Sequence, residues 1–429
     1  MKTRARGVGI VLTALSLALV TGCGRDSTDG DNAAVPGVTS EPCPQAVDQE
    51  KGCIYLGVIT DLTGVFKLVG GPVTEGQKAF WAKVNAEGGI GDYEIDVVTN
   101  VKDNAYNPDT HASVYAEIED KVLGLAQSLG TAHTNGILED VQDASILTQP
   151  TSLGSNWIFE GGVTEIGTNY CAEAMNIVDY AVDELGAKSI AAVHYAGDYG
   201  DDNMVGARIA AEARDIEFTD IPIEVQVEES QAAAVGAIKR AKPDVVVIAT
   251  GPTDLAAVVG LSAVGGFTGK FIGAIPSWNS ALLASEAGPA ITALYMQATS
   301  FGTWESDTAG HEAMRAAAGK KADPNDWYMI GWAGQYVMKA ALEAAIEADD
   351  LTREGLVAAG EGLTGVSGDG MLPEGSGNYA GDPNERVVRS TSINKVDAKA
   401  ASGVSTAAEA FTGPTVEAYE FTEPCYLQK

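Results

Sequence analysis

Hydrophobic and polar positions follow one another along this chain in blocks that predict strands and helices in turn. The clearest case opens with a continuous apolar run over residues 54–60, whose β-branched content is typical of a buried parallel strand. A glycine-rich loop that includes Gly70 and Gly71 follows, and residues 73–87 then place apolar side chains at helical spacing. The pair Gly88–Gly89 predicts the end of that helix, because glycine adopts the left-handed cap conformation without steric cost. In an open α/β sheet, a loop at the carboxyl end of such a strand lies where ligands bind.

The same alternation continues through the first half of the chain. Strands are predicted at residues 93–100, 121–128 and 146–149, and helices at residues 108–120 and 134–143. Asn107 is the expected N-cap of the first of these helices, with Pro108 at its first position. Strand–helix units in direct succession predict a doubly wound α/β half.

A long amphipathic helix predicted at residues 164–185 leads into a second lobe, where the alternation restarts. Strands are predicted there at 189–194, 223–227, 244–249 and 271–274, and helices at 203–214, 231–242 and 255–265. The run at 294–301 is interpreted as a strand returning to the first lobe, with helices at 308–318, 326–348 and 351–360 after it. Residues 362–382 are predicted to be a loop, and 387–396 and 416–421 alternate like half-exposed strands of the second lobe.

Length and charge narrow the class of protein. With 429 residues, 45% of them hydrophobic, the chain is long enough for two domains with proper cores. Its 59 acidic residues exceed its 27 Lys and Arg residues and give a net charge of −32. Such a chain repels phosphate backbones and anionic membrane surfaces, which argues against nucleic-acid binding.

The amino terminus predicts export. A basic start is followed by an apolar segment over residues 8–20, too short to span a bilayer and typical of a signal peptide. The segment ends in Val-Thr-Gly-Cys at Cys23, which resembles a bacterial lipobox, so Cys23 is the expected lipidation site; an ordinary signal peptide with an incidental cysteine is the alternative. Residues 24–50 lack large apolar side chains and are predicted to form a flexible tether.

Four further cysteines remain, and in an exported chain they predict two disulfides with three possible connectivities. Cys43 and Cys53 are close in sequence and flank the entry to the first strand, which favours that pair. Cys171 with Cys425 would then be the second pair. No C-x-x-C motif occurs and the four histidines are scattered, so no metal site or cofactor is predicted.

Motifs of catalysis are missing from the sequence. It contains no G-x-S-x-G elbow, no Walker loop, no H-E-x-x-H and no complete dinucleotide fingerprint. An exported enzyme therefore remains only an alternative, and a non-enzymatic binding function is favoured.

Several segments, in order, resemble the branched-chain-amino-acid-binding, leucine-binding-protein-like family of solute-binding proteins. The resemblance begins with LTG after the first strand and a helix ending in NAEGGI, and extends over residues 54–348. Its further segments are KVLGLAQSLGT at 121–131, ILTQPTS at 146–152, HYAGDYG at 194–200, DVVVIATG at 244–251 and KFIG at 270–273. The family serves ABC importers and has the type I periplasmic-binding-protein fold, which is α/β with two Rossmann-like lobes and a three-segment hinge.

The resemblance implies a ligand cleft between the lobes. The implied contacts are Ser128, Gly130, Thr131, Thr151 and Ser152 from the first lobe, and Tyr199 and Gly251 from the second. Strand ends and helix amino termini present free N–H groups there, which suit a carboxylate. Ser128 and Thr131 also fit a simpler role as caps of the next helix, and Tyr199 also fits a surface aromatic.

Departures from the family pattern bear on the ligand. Members that bind α-amino acids carry a glutamate for the ammonium group at the position occupied here by Ile275. An isoleucine cannot neutralise a buried ammonium, and an unpaired buried charge is costly. Val69 stands where the family often has an aromatic residue, and Leu153 where it has a small polar one, so a more apolar cleft is expected.

Other side chains in these loops extend the prediction. Phe66, Trp278 and Tyr199 are expected to supply walls for an apolar or neutral ligand, although Trp278 also fits a place in the core between the lobes. Asp254 or Glu160 could replace the missing acid from another direction.

The sequence thus predicts a lipid-anchored, extracytoplasmic solute-binding protein, monomeric, that delivers a small molecule to an ABC importer permease by hinge closure. A sensing module of the same fold is the alternative. The expected boundaries are 1–23 for the signal and lipobox, 24–50 for the tether, 54–165 with 299–380 for the first lobe, and 166–298 with 381–429 for the second.

Overall fold

The computed structural model describes residues 35–319 and 323–428. The expectations for the signal peptide, for Cys23 and for the start of the tether fall on residues 1–34 and lie outside the described residues. Two sheets of mostly parallel strands, each covered by helices, confirm the predicted α/β fold class with two lobes. Within the described ranges, no helix combines the length and apolar content needed to cross a bilayer.

The first lobe is built on a six-stranded sheet around a central strand that is buried at every position except Tyr55. Its strands are β1 (Val38–Thr39), β2 (Gly52–Thr60), β3 (Tyr93–Asp96), β4 (Val101–Asp103), β5 (Gly124–Ser128) and β6 (Thr148–Pro150). Helices α1 (Lys67–Ala86), α2 (Pro108–Ile118), α3 (Thr131–Asn135) and α4 (Leu138–Asp143) connect them. Since β2, β5 and β6 are parallel, their carboxyl ends meet at one edge of the sheet.

Helix α1 begins earlier than the sequence predicts. The buried Asp61 carboxylate accepts hydrogen bonds from the N–H groups of Gly64 (2.5 Å) and Phe66 (2.7 Å), which shortens the loop to a single turn. Gly70 and Gly71 therefore lie inside the helix and not in a loop. A Cβ at Gly70 would lie 2.2 Å from the Asp61 carbonyl oxygen, so the close approach of helix and strand explains that glycine.

The second lobe is built on a seven-stranded sheet in the order β13-β12-β11-β10-β9-β7-β8. Its parallel strands are β7 (Ser189–Tyr195), β8 (Glu217–Ile223), β9 (Val245–Ala249), β10 (Lys270–Gly273) and β11 (Tyr295–Thr299). The helices among them are α5 (Tyr170–Asp183), α6 (Asp198–Ala213), α7 (Glu228–Ala241), α8 (Pro252–Val264) and α9 (Gly288–Leu294). The Asn169 side chain caps α5, so this helix starts later than predicted.

The chain crosses between the lobes three times, after β6, after β11 and before the last two strands. Helices α10 (Ala309–Ala318), α11 (Asp326–Glu347) and α12 (Arg353–Glu361) belong to the first lobe. Helix α13 (Pro383–Arg386), strands β12 (Thr391–Val396) and β13 (Val404–Phe411) and helix α14 (Pro414–Ala418) follow.

Three predicted strands are placed differently by the structure. The run at 294–301 does not return to the first lobe, since β11 pairs with β10 and β12 in the second sheet. The strand predicted at 223–227 lies earlier, as β8. The strand predicted at 416–421 is wrong: Pro414 suits the first position of a helix, and the Asp179 carboxylate accepts the Thr415 N–H (2.8 Å) at its start.

The two favoured disulfides, Cys43–Cys53 and Cys171–Cys425, are both present. The prediction of a flexible tether over residues 24–50 is wrong for residues 35–50. The Cys43–Cys53 disulfide, the pairing of β1 with β2, and Glu94 hold these residues to the first lobe. The Glu94 carboxylate accepts hydrogen bonds from the N–H groups of Val47 (2.9 Å) and Asp48 (2.7 Å). These bonds compensate for the small apolar area that the composition of this segment offers.

Helices α1 and α11 pack backbone to backbone in the first lobe. A Cβ at Gly76 would lie 2.0 Å from the Tyr328 carbonyl oxygen, and one at Gly331 would lie 2.1 Å from that of Val73. Only glycine fits such contacts, so these two positions fix how closely the helices approach. The space between this helix pair and strands β5 and β6 forms part of the candidate site.

Candidate functional site

The carboxyl ends of β5 and β6 form the first-lobe wall of the cleft. Thr131 begins α3 directly after β5, and Ser152 follows β6; their side chains are 1% and 3% exposed. Neither hydroxyl oxygen has a hydrogen-bond partner among the described residues. Both residues line a small cavity, together with Gly130 and Thr151. The wall therefore carries buried hydroxyl groups that a polar ligand atom can satisfy.

Ser128, in contrast, does not line this cavity, and the structure removes it from the candidate site. Its Oγ lies 2.7 Å from Thr134 Oγ1 and 3.1 Å from His111 Nε2. Asn104 Nδ2 contacts the other ring nitrogen of His111 (3.0 Å), and burial lowers the pKa of His111 to about 3. A neutral imidazole thus completes an internal network that uses the Ser128 hydroxyl.

Aromatic side chains from both lobes cover the same cavity. Phe66 and Tyr106 of the first lobe lie 4.6 Å apart, and Tyr170 and Tyr199 of the second lobe are also 4.6 Å apart, measured between ring centroids. Phe66 meets Tyr199 edge to face at 6.3 Å. Tyr106 has a left-handed backbone (φ 50°), held by the Asn104 side chain, which accepts its N–H at 2.8 Å. The predicted walls Phe66 and Tyr199 therefore lie where the lobes meet.

A second, more apolar cavity adjoins the first, and the two share the lining residues Thr151, Tyr170 and Trp327. Its apolar wall is formed by Val73, Leu153, Ile166, Ile275, Phe301 and Ile330. The three departures from the family pattern, Val69, Leu153 and Ile275, all face one of the two cavities.

No charged side chain of the described residues lines either cavity. The Ile275 N–H donates to Glu173 (3.2 Å), but Glu173 does not line either cavity, and burial raises its pKa well above the usual range. Asp254 accepts hydrogen bonds from Tyr195, Gln231 and the Gln226 N–H, away from both cavities.

Glu160, the other proposed substitute acid, accepts from the Gln142 side chain (3.1 Å) and also lies off the cavity walls. Neither it nor Asp254 therefore supplies a counter-charge for an ammonium group.

Gly251 and Trp278 contribute to the junction of the lobes without lining the two cavities. A Cβ at Gly251 would lie 3.1 Å from Val65 and 3.6 Å from Phe66, both of the first lobe. Trp278 stacks on Tyr295 with 5.6 Å between ring centroids. It therefore lies in the core, as the alternative prediction for this residue had it, and not on a ligand-binding wall.

Hydrogen bonds join the lobes beside the cavities. Trp327 Nε1 donates to the Trp278 carbonyl (2.8 Å), and Asn279 Nδ2 donates to the Leu68 carbonyl (2.7 Å). On the hinge side, the Ser155 N–H donates to Asp202 (2.8 Å). The lobes thus lie closed over the cleft, with Trp327 both bridging them and lining both cavities.

Sequence reasoning missed the residues of the apolar cavity that come from outside the strand-end loops. Gln77 of α1, Gln149 of β6 and Trp327 of α11 are the chief examples. The sequence signal available for α11 was its length, its apolar content and the glycines Gly331 and Gly334, which mark a helix that another group approaches closely.

The family model described as Periplasmic binding protein matches residues 53–402. The chain belongs to this family. The match confirms the predicted family of solute-binding proteins, and a leucine-binding protein and a branched-chain amino acid ABC transporter protein are among the solved structures that share its fold. Among proteins of curated function, none matches the sequence.

One similar structure is a fatty acid ABC transporter substrate-binding protein from Thermomonospora curvata, with 26% identity and a TM-score of 0.80 over 90% of this chain and 96% of that one. Another is a branched-chain amino acid ABC transporter protein from Thermus thermophilus with bound valine, with 19% identity and a TM-score of 0.74 over 86% and 98%. A leucine-binding protein from Thermotoga maritima has 18% identity and a TM-score of 0.69 over 84% and 99%. These relatives are binding proteins and not enzymes.

Proposed function

We propose that this periplasmic binding protein captures an elongated monocarboxylic acid without an ammonium group and delivers it to an ABC importer. The observation that carries the proposal is the pair of adjoining cavities, one with buried hydroxyls and one with an apolar wall, neither lined by a charged side chain.

The hydroxyl end suits a carboxylate head group. The hydroxyls of Thr131 and Ser152 are buried without partners among the described residues, and each can donate to a ligand oxygen. Hydrogen bonds to a charged acceptor are about twice as strong as neutral ones. A carboxylate can therefore be held here by neutral donors.

The apolar cavity suits a hydrocarbon body and disfavours an amino acid. Burying each methylene contributes about 0.8 kcal/mol to binding. An α-amino acid would instead place an ammonium near Ile275, where no described acid lines the wall. An unpaired buried charge shifts its pKa or costs several kcal/mol. The name of the Thermomonospora relative, a fatty acid transporter protein, supports the same class of ligand for this chain.

Capture would use hinge closure. Because Thr131 and Ser152 belong to the first lobe and Ile275 and Tyr199 to the second, only the closed form can contact a ligand on both sides. A ligand shifts the equilibrium toward closure to the extent that it binds that form more tightly. The closed form is then the one presented to the permease.

A thermal-shift screen of the purified protein tests the ligand class. At a concentration of 100 times Kd, a ligand adds about 2.7 kcal/mol to the free energy of unfolding. For a chain of this size, that is a rise of about 3 °C in Tm. We expect the rise with saturated monocarboxylic acids such as octanoic acid. A rise with leucine, valine or sugars and none with these acids would contradict the proposal.

We also propose that the protein is anchored through Cys23 at the outer face of the membrane and acts as a monomer. The Cys23→Ser variant, expressed in a lipoprotein-processing bacterium, should move from the membrane fraction to the soluble fraction. Unchanged fractionation would contradict the lipid anchor and leave the ligand proposal untouched.

A further inference from the structure

The apolar cavity has a direction, which the elements around it define. Strands β5 and β6 end at the cleft, and helices α1 and α11 both begin near it. Thr151, Ile275 and Trp327 therefore mark the mouth of the cavity, while Gln77, Gln149 and Gln335 mark its inner end. From Trp327 to Gln335, the helical rise gives a length of about 12 Å.

The inner end is polar, unlike the walls. Gln335 is fully paired: its Oε1 accepts from Trp81 Nε1 (2.8 Å) and its Nε2 donates to the Ala126 carbonyl (3.3 Å). Gln77 Nε2 donates to the same carbonyl (3.1 Å). Because a carbonyl can only accept, this bond fixes the amide orientation of Gln77 and directs its Oε1 elsewhere.

Two acceptors at this inner end have no partner among the described residues: Oε1 of Gln77 and Oε1 of Gln149. These side chains are 2% and 3% exposed, so both amide oxygens are shielded from bulk water. Buried acceptors without a donor are rare in native proteins, and each one in a structure calls for a reason. A plain alkyl end reaching this point would leave both oxygens unpaired, whereas a hydroxyl would satisfy one of them.

We propose that Gln77 and Gln149 form a second recognition subsite that selects a carboxylic acid bearing a hydroxyl at the end remote from its carboxylate. The inference rests on the proposed function, which supplies the carboxylate end and the apolar body. It adds the requirement for a distal hydrogen-bond donor, so that the ligand is recognised at both ends and excluded if its far end is apolar.

A matched pair of ligands tests this subsite. Isothermal titration of the purified protein with octanoic acid and 8-hydroxyoctanoic acid at pH 7.5 compares molecules that differ in one distal hydroxyl. Satisfying a buried unpaired acceptor should make the hydroxy acid bind about 5- to 150-fold more tightly. Without the subsite the order reverses, because burying the hydroxyl in an apolar wall weakens binding.

Variants assign the effect to the glutamine. Gln149→Leu removes one acceptor and keeps a side chain of similar size, and should lower the affinity ratio. Gln77→Leu combined with Gln149→Leu removes both acceptors and should bring the ratio to one or below. The control is Gln127→Leu: Gln127 is buried on β5 with its amide paired to Thr60 (2.9 Å) and Thr74 (3.3 Å), and does not line the cavity. The ratio of the affinities for the two acids in the Gln127→Leu variant should equal that of the wild-type protein.

Three results would overturn the inference. If the wild-type protein binds both acids equally or prefers octanoic acid, the subsite is refuted while the proposed function stands. If the double variant keeps the wild-type preference, the glutamines are not its source. If neither acid binds, the proposed ligand class itself fails, and the subsite with it.

Discussion

Replacing Thr131 by valine should have opposite effects on ligand affinity and on stability. The two side chains have nearly the same shape, and the change removes only a hydroxyl that is buried and without a partner among the described residues. A hydrogen bond to a charged group contributes about 1.5–3 kcal/mol, so the Kd for octanoate should rise roughly 10- to 150-fold.

The free protein should become more stable in the same variant. An unpaired buried hydroxyl costs about 1–3 kcal/mol, and valine removes that cost. With the average unfolding entropy per residue, the gain for this chain is about 1–3 °C in Tm. Isothermal titration gives the affinity, and urea unfolding without ligand gives the free energy of unfolding.

Thr134→Val is the matched control on the same short helix. The Thr134 hydroxyl lies 2.7 Å from Ser128 Oγ and donates to the Ser128 carbonyl (3.3 Å). Its loss should lower the free energy of unfolding by about 1–3 kcal/mol and leave the Kd within about twofold. If Thr131→Val destabilises the protein as Thr134→Val does, or binds octanoate like the wild type, then Thr131 has a structural role and the reasoning is refuted.

Two further predictions concern stability. Replacing Cys171 and Cys425 by alanine should lower the free energy of unfolding more than replacing Cys43 and Cys53. The chain-entropy model gives a loss of roughly 5 kcal/mol for the sequence separation of 254 and roughly 3 kcal/mol for the separation of 10. Equal urea midpoints for the two variants would contradict this prediction. Burial lowers the pKa of His111 from 6.5 to about 3, so on acidification the unfolded state binds a proton at this residue before the folded state does. The free energy of unfolding should therefore fall as the pH drops from 6.5 towards 3, and His111 should account for a loss of about 2 kcal/mol at pH 5. An NMR titration that gives His111 in the folded protein a pKa near 6.5 would contradict this prediction.

The architecture and the position of the cleft were predictable from sequence because both follow from local patterns. Continuous apolar runs mark the buried strands, and parallel strands put their following loops at one edge. The resemblance to the solute-binding family then pointed to Thr131, Ser152 and Ile275 by position, and all three line the cavities. The identity of Ile275 also predicted, without any structure, a cleft more apolar than an amino-acid site, and Ile275 lies on the wall of the apolar cavity.

What the sequence could not predict depends on contacts between distant residues. Ser128 has the position of a ligand contact, but its hydroxyl pairs with Thr134 and His111, and only the tertiary structure shows this. Gln149 precedes the loop at the end of β6 and reads as strand interior, yet it lines the cavity between α1 and α11. The inner end of the cavity is therefore a property of packing and not of any motif.

The strand predicted at 416–421 failed for a related reason. Its alternating pattern is compatible with a strand, but Pro414 and the distant Asp179 carboxylate start a helix there. The true edge strand, β13, consists largely of small Ala, Ser and Thr residues and has one buried position, Val404, so it has little hydrophobic pattern to predict it.

The most direct test of the account compares octanoic acid with 2-aminooctanoic acid by isothermal titration of the purified protein at pH 7.5. The two molecules share the carboxylate and the chain and differ in the ammonium group alone. The account predicts that octanoate binds and that the amino acid binds at least about 100-fold more weakly, because no described acidic side chain lines the cavities. Equal or tighter binding of 2-aminooctanoate would show that the cleft accepts an ammonium after all and would contradict the account.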